Sequence, residues 1–272
     1  MVDNLWVSYS INFGGNMKNI GIFVNLEKDA NFNITKEIIS TIESMGASCE
    51  IATIGKKYDF VISLGGDGTF LATARNFPSL EIVGINLGNL GFLAEIDKDN
   101  FKEALERILS GNYSVEKRFF IETTIHDKTL YALNDIVVSR GIIPKLLELE
   151  LYFNGKFVDN YTADGLIIST PTGSTAYSMS AGGPIVDPEL DVLIVTPICA
   201  HSLHQRPIII NGTTEVKIKA KVDGFLIAAD GQETIESENI KEIVINRSMN
   251  YTKLIKISEN CFFNTVREKF NI

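Results

Sequence analysis

The sequence predicts a three-layer α/β domain with a mainly parallel sheet, followed by a predominantly β domain. Three observations carry that division. From Met17 to about Tyr113, short apolar runs alternate with amphipathic helical stretches, the pattern of repeated strand-helix units. From about Arg118, helical spacing gives way to alternating apolar and polar residues, the period of half-buried strands. The chain of 272 residues is 45% hydrophobic and 22% charged, which supplies a substantial core and excludes wholesale disorder.

The elements follow in order. Asn19–Val24 reads as a first buried strand. Ile34, Ile38, Ile42 and Met45 recur at helical spacing through Asn33–Met45, and Gly46 stands where a C-terminal cap belongs. Ser48–Ile54, Asp59–Leu64 and Glu81–Asn86 are strands, and Phe101–Leu109 is an amphipathic helix. In the second half, Leu147, Leu149, Leu151 and Phe153 alternate with Glu148, Glu150 and Tyr152. Asn154-Gly155 follows, a strong hairpin signal, and Lys156–Asn160 returns. Further strands are expected at Leu166–Thr170, Val192–Pro197, Ile208–Ile210, Glu215–Val222, Phe225–Ala228, Glu242–Asn246 and Leu254–Ile257. Cys261–Phe270 is helical, with Phe263, Val266 and Phe270 on one face.

These elements divide the chain into 1–16 as a leader, 17–117 as the α/β domain, 118–258 as the β-rich domain and 259–272 as a helix returning to the first. The leader holds no Lys or Arg, so the charged start of a signal peptide is missing. Met17, directly before the first strand, reads as an alternative start.

Composition excludes several functions. The formal net charge is −9, so an overall basic footprint for nucleic acid or an anionic membrane is absent. That does not exclude an anionic ligand, because local amides, a few cations or a metal ion outweigh a global field. Three dispersed cysteines, Cys49, Cys199 and Cys261, suit neither a disulfide framework nor a C-x-x-C zinc site and point to the cytoplasm. The uncharged run Gly165–Val186 is long enough to test as a membrane helix. It fails on two prolines, four glycines and seven Ser or Thr residues, and reads instead as strand, loop and packed helix around a ligand.

Two glycine-rich turns stand out. Phe60-Val-Ile-Ser-Leu runs into Gly65-Gly66-Asp67-Gly68-Thr69 and then a helix beginning Phe70-Leu-Ala. Glycines there let the backbone approach a ligand closely, and a helix N-terminus offers free N–H groups to phosphate. A carboxylate among them repels an anion unless it holds Mg²⁺ or accepts a proton from an attacking hydroxyl. The plain alternative is a strand-helix turn with Asp67 as its cap. Neither a P-loop nor a Gly-x-Gly-x-x-Gly fingerprint is present. A second turn, Gly84 to Leu93, follows the next strand, and loops after adjacent parallel strands line one crevice.

Taken together, four blocks resemble the NAD kinase family from Lys18 onward. Gly65–Thr69 is similar to that family's GGDGT loop, and Gly84–Leu93 to its second glycine loop. Asn134-Asp135 sits at its Asn-Glu/Asp pair, and Asp164–Pro184 is the longest and most specific match. GGDGT alone also occurs in lipid kinases. The resemblance implies an α/β N-terminal and a β-rich C-terminal domain with the site between them. It implies ATP-dependent phosphorylation of the 2′-hydroxyl on the adenosine ribose of NAD, with a divalent cation such as Mg²⁺ bound mainly through phosphates. It implies a homodimer or homotetramer, with NAD and ATP as small-molecule substrates and no nucleic-acid or membrane partner. Inorganic polyphosphate is an alternative donor.

Carried over position by position, Asp67 is the expected catalytic base. Gly65, Gly66, Gly68 and Thr69 would cradle phosphates, with Phe70 against the dinucleotide. Asn134 and Asp135 would hold ribose hydroxyls; taken alone they read as a turn. Asp164, Thr175, Ala176, Tyr177 and Ser180 match NAD-contacting positions, Asp164 toward nicotinamide and Tyr177 toward adenine, although Tyr177 alone reads as a core aromatic. Thr162 and Lys145 are chosen for position, Lys145 because transferred phosphate needs a cation. Gln232 stands in a late family motif. Ala200 replaces a usual proline in the segment Thr196–Pro207, where His201 is expected to be structural. A diacylglycerol-type lipid kinase and a non-catalytic dinucleotide sensor are the competing readings.

Overall fold

In the computed structural model the described residues are 18–89, 91–142, 145–202, 204–221, 224–237, 239–257 and 262–271. The expectations for the leader, Met17, Val222, Leu203 and Cys261 lie outside them. The chain divides into two compact units. The first runs to Lys117 and resumes at Thr252; the second is Arg118–Tyr251.

The first unit is built on parallel strands. β1 (Asn19–Val24), α1 (Asn33–Ser44), β2 (Ser48–Ile51), β3 (Phe60–Gly65), α2 (Asp67–Asn76), β4 (Glu81–Asn86), the short β5 (Ile96–Asp97) and α3 (Phe101–Leu109) follow one another. Their sheet order is β2-β1-β3-β4, all parallel, with β5 beside β4. β3 and β4 are almost wholly buried, as central strands covered on both faces must be. α3 buries Phe101, Ala104, Leu105 and Ile108, one stripe at helical spacing. Gly46 ends α1 with φ +84°, the left-handed cap its position predicts.

The second unit is antiparallel. β6 (Ser114–Ile125) enters it and pairs with β7 (Lys128–Ala132). β8 (Asp135–Ser139), β9 (Leu147–Phe153), β10 (Lys156–Ala163), β11 (Gly165–Ser169), a single helical turn α4 (Tyr177–Ser180), β12 (Val192–Ile198), β13 (Ile208–Asn211), β14 (Val216–Ala220), β15 (Leu226–Ala229), β16 (Glu233–Glu236) and β17 (Glu242–Lys256) follow. One sheet has the order β13-β12-β11-β8-β15-β16. A second set pairs β10-β9-β14-β17. Inward residues of both sets, among them Leu147, Leu149, Ile168 and Ile218, share one core. Asn154 and Gly155 both take positive φ, the backbone of the tight hairpin turn that Asn-Gly predicts.

Two expectations change. Glu242–Asn246 and the expected strand from Leu254 are not separate but parts of the single β17, 15 residues long and ending at Lys256. The inward positions Ser248 and Thr252 are buried yet polar, which hides the alternation from a reading based on apolar residues. β6 has no counterpart in the sequence reading for the same reason: Glu116, Lys117, Arg118 and Glu122 interrupt its apolar pattern. Beyond Tyr251 the chain rejoins the first unit. Lys253 and Leu254 pair in parallel with Glu81 and Ile82 of β4. The last helix, α5 (Phe262–Phe270), sets Phe262 and Phe270 each 5.9 Å from the Phe92 ring.

Candidate active site

In the first unit, the parallel register places the turns after β3 and β4 side by side. Gly65 is paired with Asn86 at the strand ends, and Leu87 N–H donates to the Gly65 carbonyl at 2.8 Å. Asp67 is the first residue of α2. Its carboxylate reaches the second turn instead of capping its own helix. Oδ1 accepts from Leu93 N–H and Ala94 N–H, both at 3.0 Å, and Oδ2 from Phe92 N–H at 2.8 Å. A carboxylate offers about four acceptor positions, so among the described residues Oδ2, with one bond to Phe92 N–H, keeps a further position. Gly91 makes the approach possible, since a Cβ there would lie 1.9 Å from Asp67 Oδ1.

The second turn is braced from within by Asn86, which is buried at the end of β4. Its Oδ1 accepts from Gly88 N–H at 2.8 Å and its amide donates to the Asn89 carbonyl. Thr69 is buried and accepts from Asn25 Nδ2 at 3.3 Å. Phe70 is 0% exposed. Its ring is a core group with no face left for a dinucleotide, which corrects the role expected of it. The helix buries it because it falls on the same stripe as Thr73 and Ala74.

In the second unit, β8 lies between β11 and β15, with Asp135 opposite Ser169 and Ile136 opposite Ala229. Three chain segments therefore meet where β8 begins. Thr170 N–H and Ser169 Oγ donate to the Asn134 carbonyl at 2.9 and 3.1 Å. The Thr172–Thr175 turn sits so close that a Cβ on Gly173 would lie 2.2 Å from that carbonyl oxygen. From the other side, the Asp230 carboxylate accepts from three successive amides, Leu133, Asn134 and Asp135, at 3.1, 2.8 and 3.3 Å. Asp135 is itself 3% exposed. Burial, and then the charge of Asp230, push its carboxyl up to about 7. Asn134 is half-buried and the more accessible of the pair. Gln232 is exposed on the same corner, its N–H donating to the Ala229 carbonyl.

α4 is anchored by buried Ser178, whose hydroxyl bonds Thr196 Oγ1 at 2.8 Å. That leaves Ser180 exposed and Tyr177 45% exposed, so Tyr177 is not the core aromatic that its type alone suggests. Thr175 and Ala176 are partly buried beside it. Asp164 lies elsewhere, at the opposite end of β11, where its Oδ1 accepts from Arg140 Nε at 2.6 Å. Thr162 is exposed nearby, its carbonyl accepting from the N–H of exposed His201 at 2.8 Å. Lys145 is exposed, and no hydrogen bond or ion pair joins it to these residues among the described residues.

Sequence reasoning passed over Asp230, Asn86 and Arg140. Asp230 stands two residues before Gln232 in the sequence, and its role shows only in the structure, where its carboxylate accepts from three successive amides. Among the described residues, no group of three or more His, Cys, Asp or Glu side chains is arranged to hold a metal ion, and no helix is long and apolar enough to cross a membrane.

Comparison with known proteins bears on both units. The ATP-NAD kinase N-terminal domain family matches residues 36–113, and the ATP-NAD kinase C-terminal domain family matches 133–257. An NAD kinase of Caldanaerobacter subterraneus subsp. tengcongensis is 38% identical, covering 93% of this chain and 99% of that protein. The structure of an NAD kinase from Archaeoglobus fulgidus in complex with ATP superposes with a TM-score of 0.80 at 25% identity, covering 93% and 98% of the two chains. Yeast NADH kinase complexed with NADH gives 0.81 at 25% identity, covering 95% and 89%. The lipid-kinase and sensor readings gain no support from these matches. Matched along nearly its whole length by proteins of one activity, the chain belongs to the NAD kinase family.

Proposed function

We propose that Asp67 is the general base of NAD phosphorylation in this chain. ATP donates the phosphoryl group, and the acceptor is the 2′-hydroxyl of the adenosine ribose. The observation that carries this is the Asp67 carboxylate, fixed by three backbone amides with one acceptor position left on Oδ2. The hydroxyl proton passes to Asp67 as the oxygen attacks the γ-phosphorus. The bond from that phosphorus to the ADP oxygen breaks, and NADP and ADP leave. Phosphoryl transfer needs positioning and charge neutralisation more than covalent help. The Gly65–Thr69 amides and the N-terminus of α2 supply part of both.

A divalent cation held by the phosphate oxygens of ATP would supply charge neutralisation. Asn134, half-buried, and Asp135 would meet a ribose diol. Thr175, Ala176, Tyr177, Ser180 and Gln232 would line the same end of the NAD site. Asp164 and Thr162 stand at the other end of β11, about 17 Å away at some 3.4 Å per residue, a separation suited to an extended dinucleotide. A cytoplasmic home and a homodimeric or homotetrameric assembly complete the reading; dispersed cysteines support the first and family resemblance the second.

The test is purified protein with NAD, Mg²⁺ and either ATP or inorganic polyphosphate, monitored for NADP. Asp67→Asn keeps the side-chain shape and should still bind NAD, but lose at least about a hundredfold in kcat. Wild-type protein that forms no NADP with either donor refutes the reading. An Asp67→Asn enzyme of near-normal kcat refutes the base.

A further inference from the structure

β1, β3 and β4 are neighbouring parallel strands, so the loop after β1 ends beside the two glycine turns. That loop carries Lys28. Its backbone is fixed on both sides. Lys28 N–H and Asp29 N–H donate to the Asn25 carbonyl at 3.1 and 3.0 Å. Buried Asp29 accepts from Thr35 N–H at 2.8 Å and from Thr35 Oγ1 at 2.6 Å, tying the loop to the start of α1.

From this base the Lys28 ammonium extends over the turns. Nζ is 3.4 Å from the Gly65 carbonyl oxygen. A Cβ on Gly66 would lie 3.2 Å from Nζ, and one on Gly88 3.5 Å. One cation therefore sits against both glycine turns. An ammonium has three donors, and the long contact to Gly65 occupies one. Among the described residues no carboxylate pairs with it. In a chain of net charge −9, a cation without a carboxylate partner beside the Asp67 turn is a place for an anion.

We propose that Lys28 binds a phosphate oxygen of the phosphoryl donor at the two glycine turns. This rests on the reading of Asp67 as base, because the group transferred to the hydroxyl must lie beside that carboxylate. Its negative charge then needs a nearby cation that Asp67 cannot supply. Lysine serves phosphate as a point charge on a flexible stem, so Lys28 can follow the phosphoryl group as it moves.

The experiment compares wild type, Lys28→Met and Lys28→Arg in initial-rate assays with ATP and NAD varied separately, alongside ATP binding by calorimetry without NAD. Lys28 is exposed, so both variants should fold, and thermal melts check this. For Lys28→Met, the expected results are a rise of about tenfold or more in the KM for ATP and weaker ATP binding, with the KM for NAD nearly unchanged; Lys28→Arg recovers most of the loss. A general structural role would move both KM values and the melting temperature together. Unchanged ATP parameters in Lys28→Met, or a rise confined to the KM for NAD, overturn the assignment. Because wild-type NADP formation is measured in the same assay, failure of the Lys28 proposal is distinguishable from failure of the kinase reading.

Discussion

Gly91→Ala is the sharpest perturbation of the Asp67 geometry. The added methyl would lie 1.9 Å from Asp67 Oδ1 and 2.6 Å from Cγ. An ordinary carbon–oxygen contact is about 3.3 Å, so Oδ1 must retreat by about 1.4 Å. Both of its hydrogen bonds, to Leu93 N–H and Ala94 N–H, start at 3.0 Å and are lost by such a shift. Bonds to a charged group contribute roughly 1.5–3 kcal/mol each. Because Asp67 is only half-buried, water replaces part of the loss, and the stability change should be about 2–4 kcal/mol. The kinetic effect is larger in consequence. A base misplaced by about 1 Å loses on the order of a hundredfold in rate, about 2.7 kcal/mol in barrier.

The assay is a double-mutant cycle in kcat. Gly91→Ala alone should lower kcat about a hundredfold with little change in either KM. In the Asp67→Asn background, the same substitution should lower the residual rate hardly at all, because the group it displaces no longer acts as a base. A Gly91→Ala enzyme within about threefold of wild-type kcat would show that the Asp67 position seen here is not the working one. Equal losses in both backgrounds would show that Gly91 acts through the fold alone.

Two further predictions concern buried charge. Asp135 has its carboxyl lifted from the ordinary 3.8 to about 7 by burial and by Asp230. The folded state thus holds a proton that the unfolded chain has released above about pH 4, and stability should fall as pH rises from about 4 to about 7, then level off. Asp135→Asn should flatten that profile and be the more stable protein at pH 8, by up to about 4 kcal/mol. Urea unfolding of the unliganded protein across this range checks it; a wild-type profile that is flat or rises in the window contradicts the assignment. Lys256 pairs with Glu95 Oε2 where their side chains are only 12% and 14% exposed, and among the described residues Glu95 Oε1 has no hydrogen-bond partner. Lys256→Met should destabilise by about 3–5 kcal/mol, and adding Glu95→Leu should restore much of it; a loss below about 1 kcal/mol would place the pair effectively in solvent.

Much of the fold was legible because it is written in apolar spacing. β1, β4 and α3 appear with the bounds that periodicity predicts, and Asn154-Gly155 makes the turn its residues demand. Where burial is polar, the signal fails, as with Ser248 and Thr252 in β17 and with the charged strand β6. The site was legible as motifs but not as contacts. The glycine turn and Asn134-Asp135 could be picked out as strings. That Asp67 would bond amides 25 to 27 residues ahead could not, because backbone N–H groups carry no residue identity. Phe70 shows the opposite error. Its place inside a ligand-binding motif suggested a contact, yet its position on the inner stripe of α2 decided its burial.

The same device recurs in both units, and it bears on how so acidic a chain handles anionic substrates. Asp67 gathers the amides of residues 92–94, and Asp230 those of residues 133–135. Each carboxylate fixes a loop by consuming donors that would otherwise face solvent or ligand. Neither carboxylate is an anion-binding group. Their effect is to set the backbone of residues 92–94 in one unit and of residues 133–135 in the other. A bare carboxylate beside phosphate would repel it, whereas one with three acceptor positions filled presents a dispersed charge and a single direction for a proton to arrive. The global charge of −9 is therefore a poor guide to the field at the turns, where the ammonium of Lys28 lies 3.4 Å from the Gly65 carbonyl oxygen.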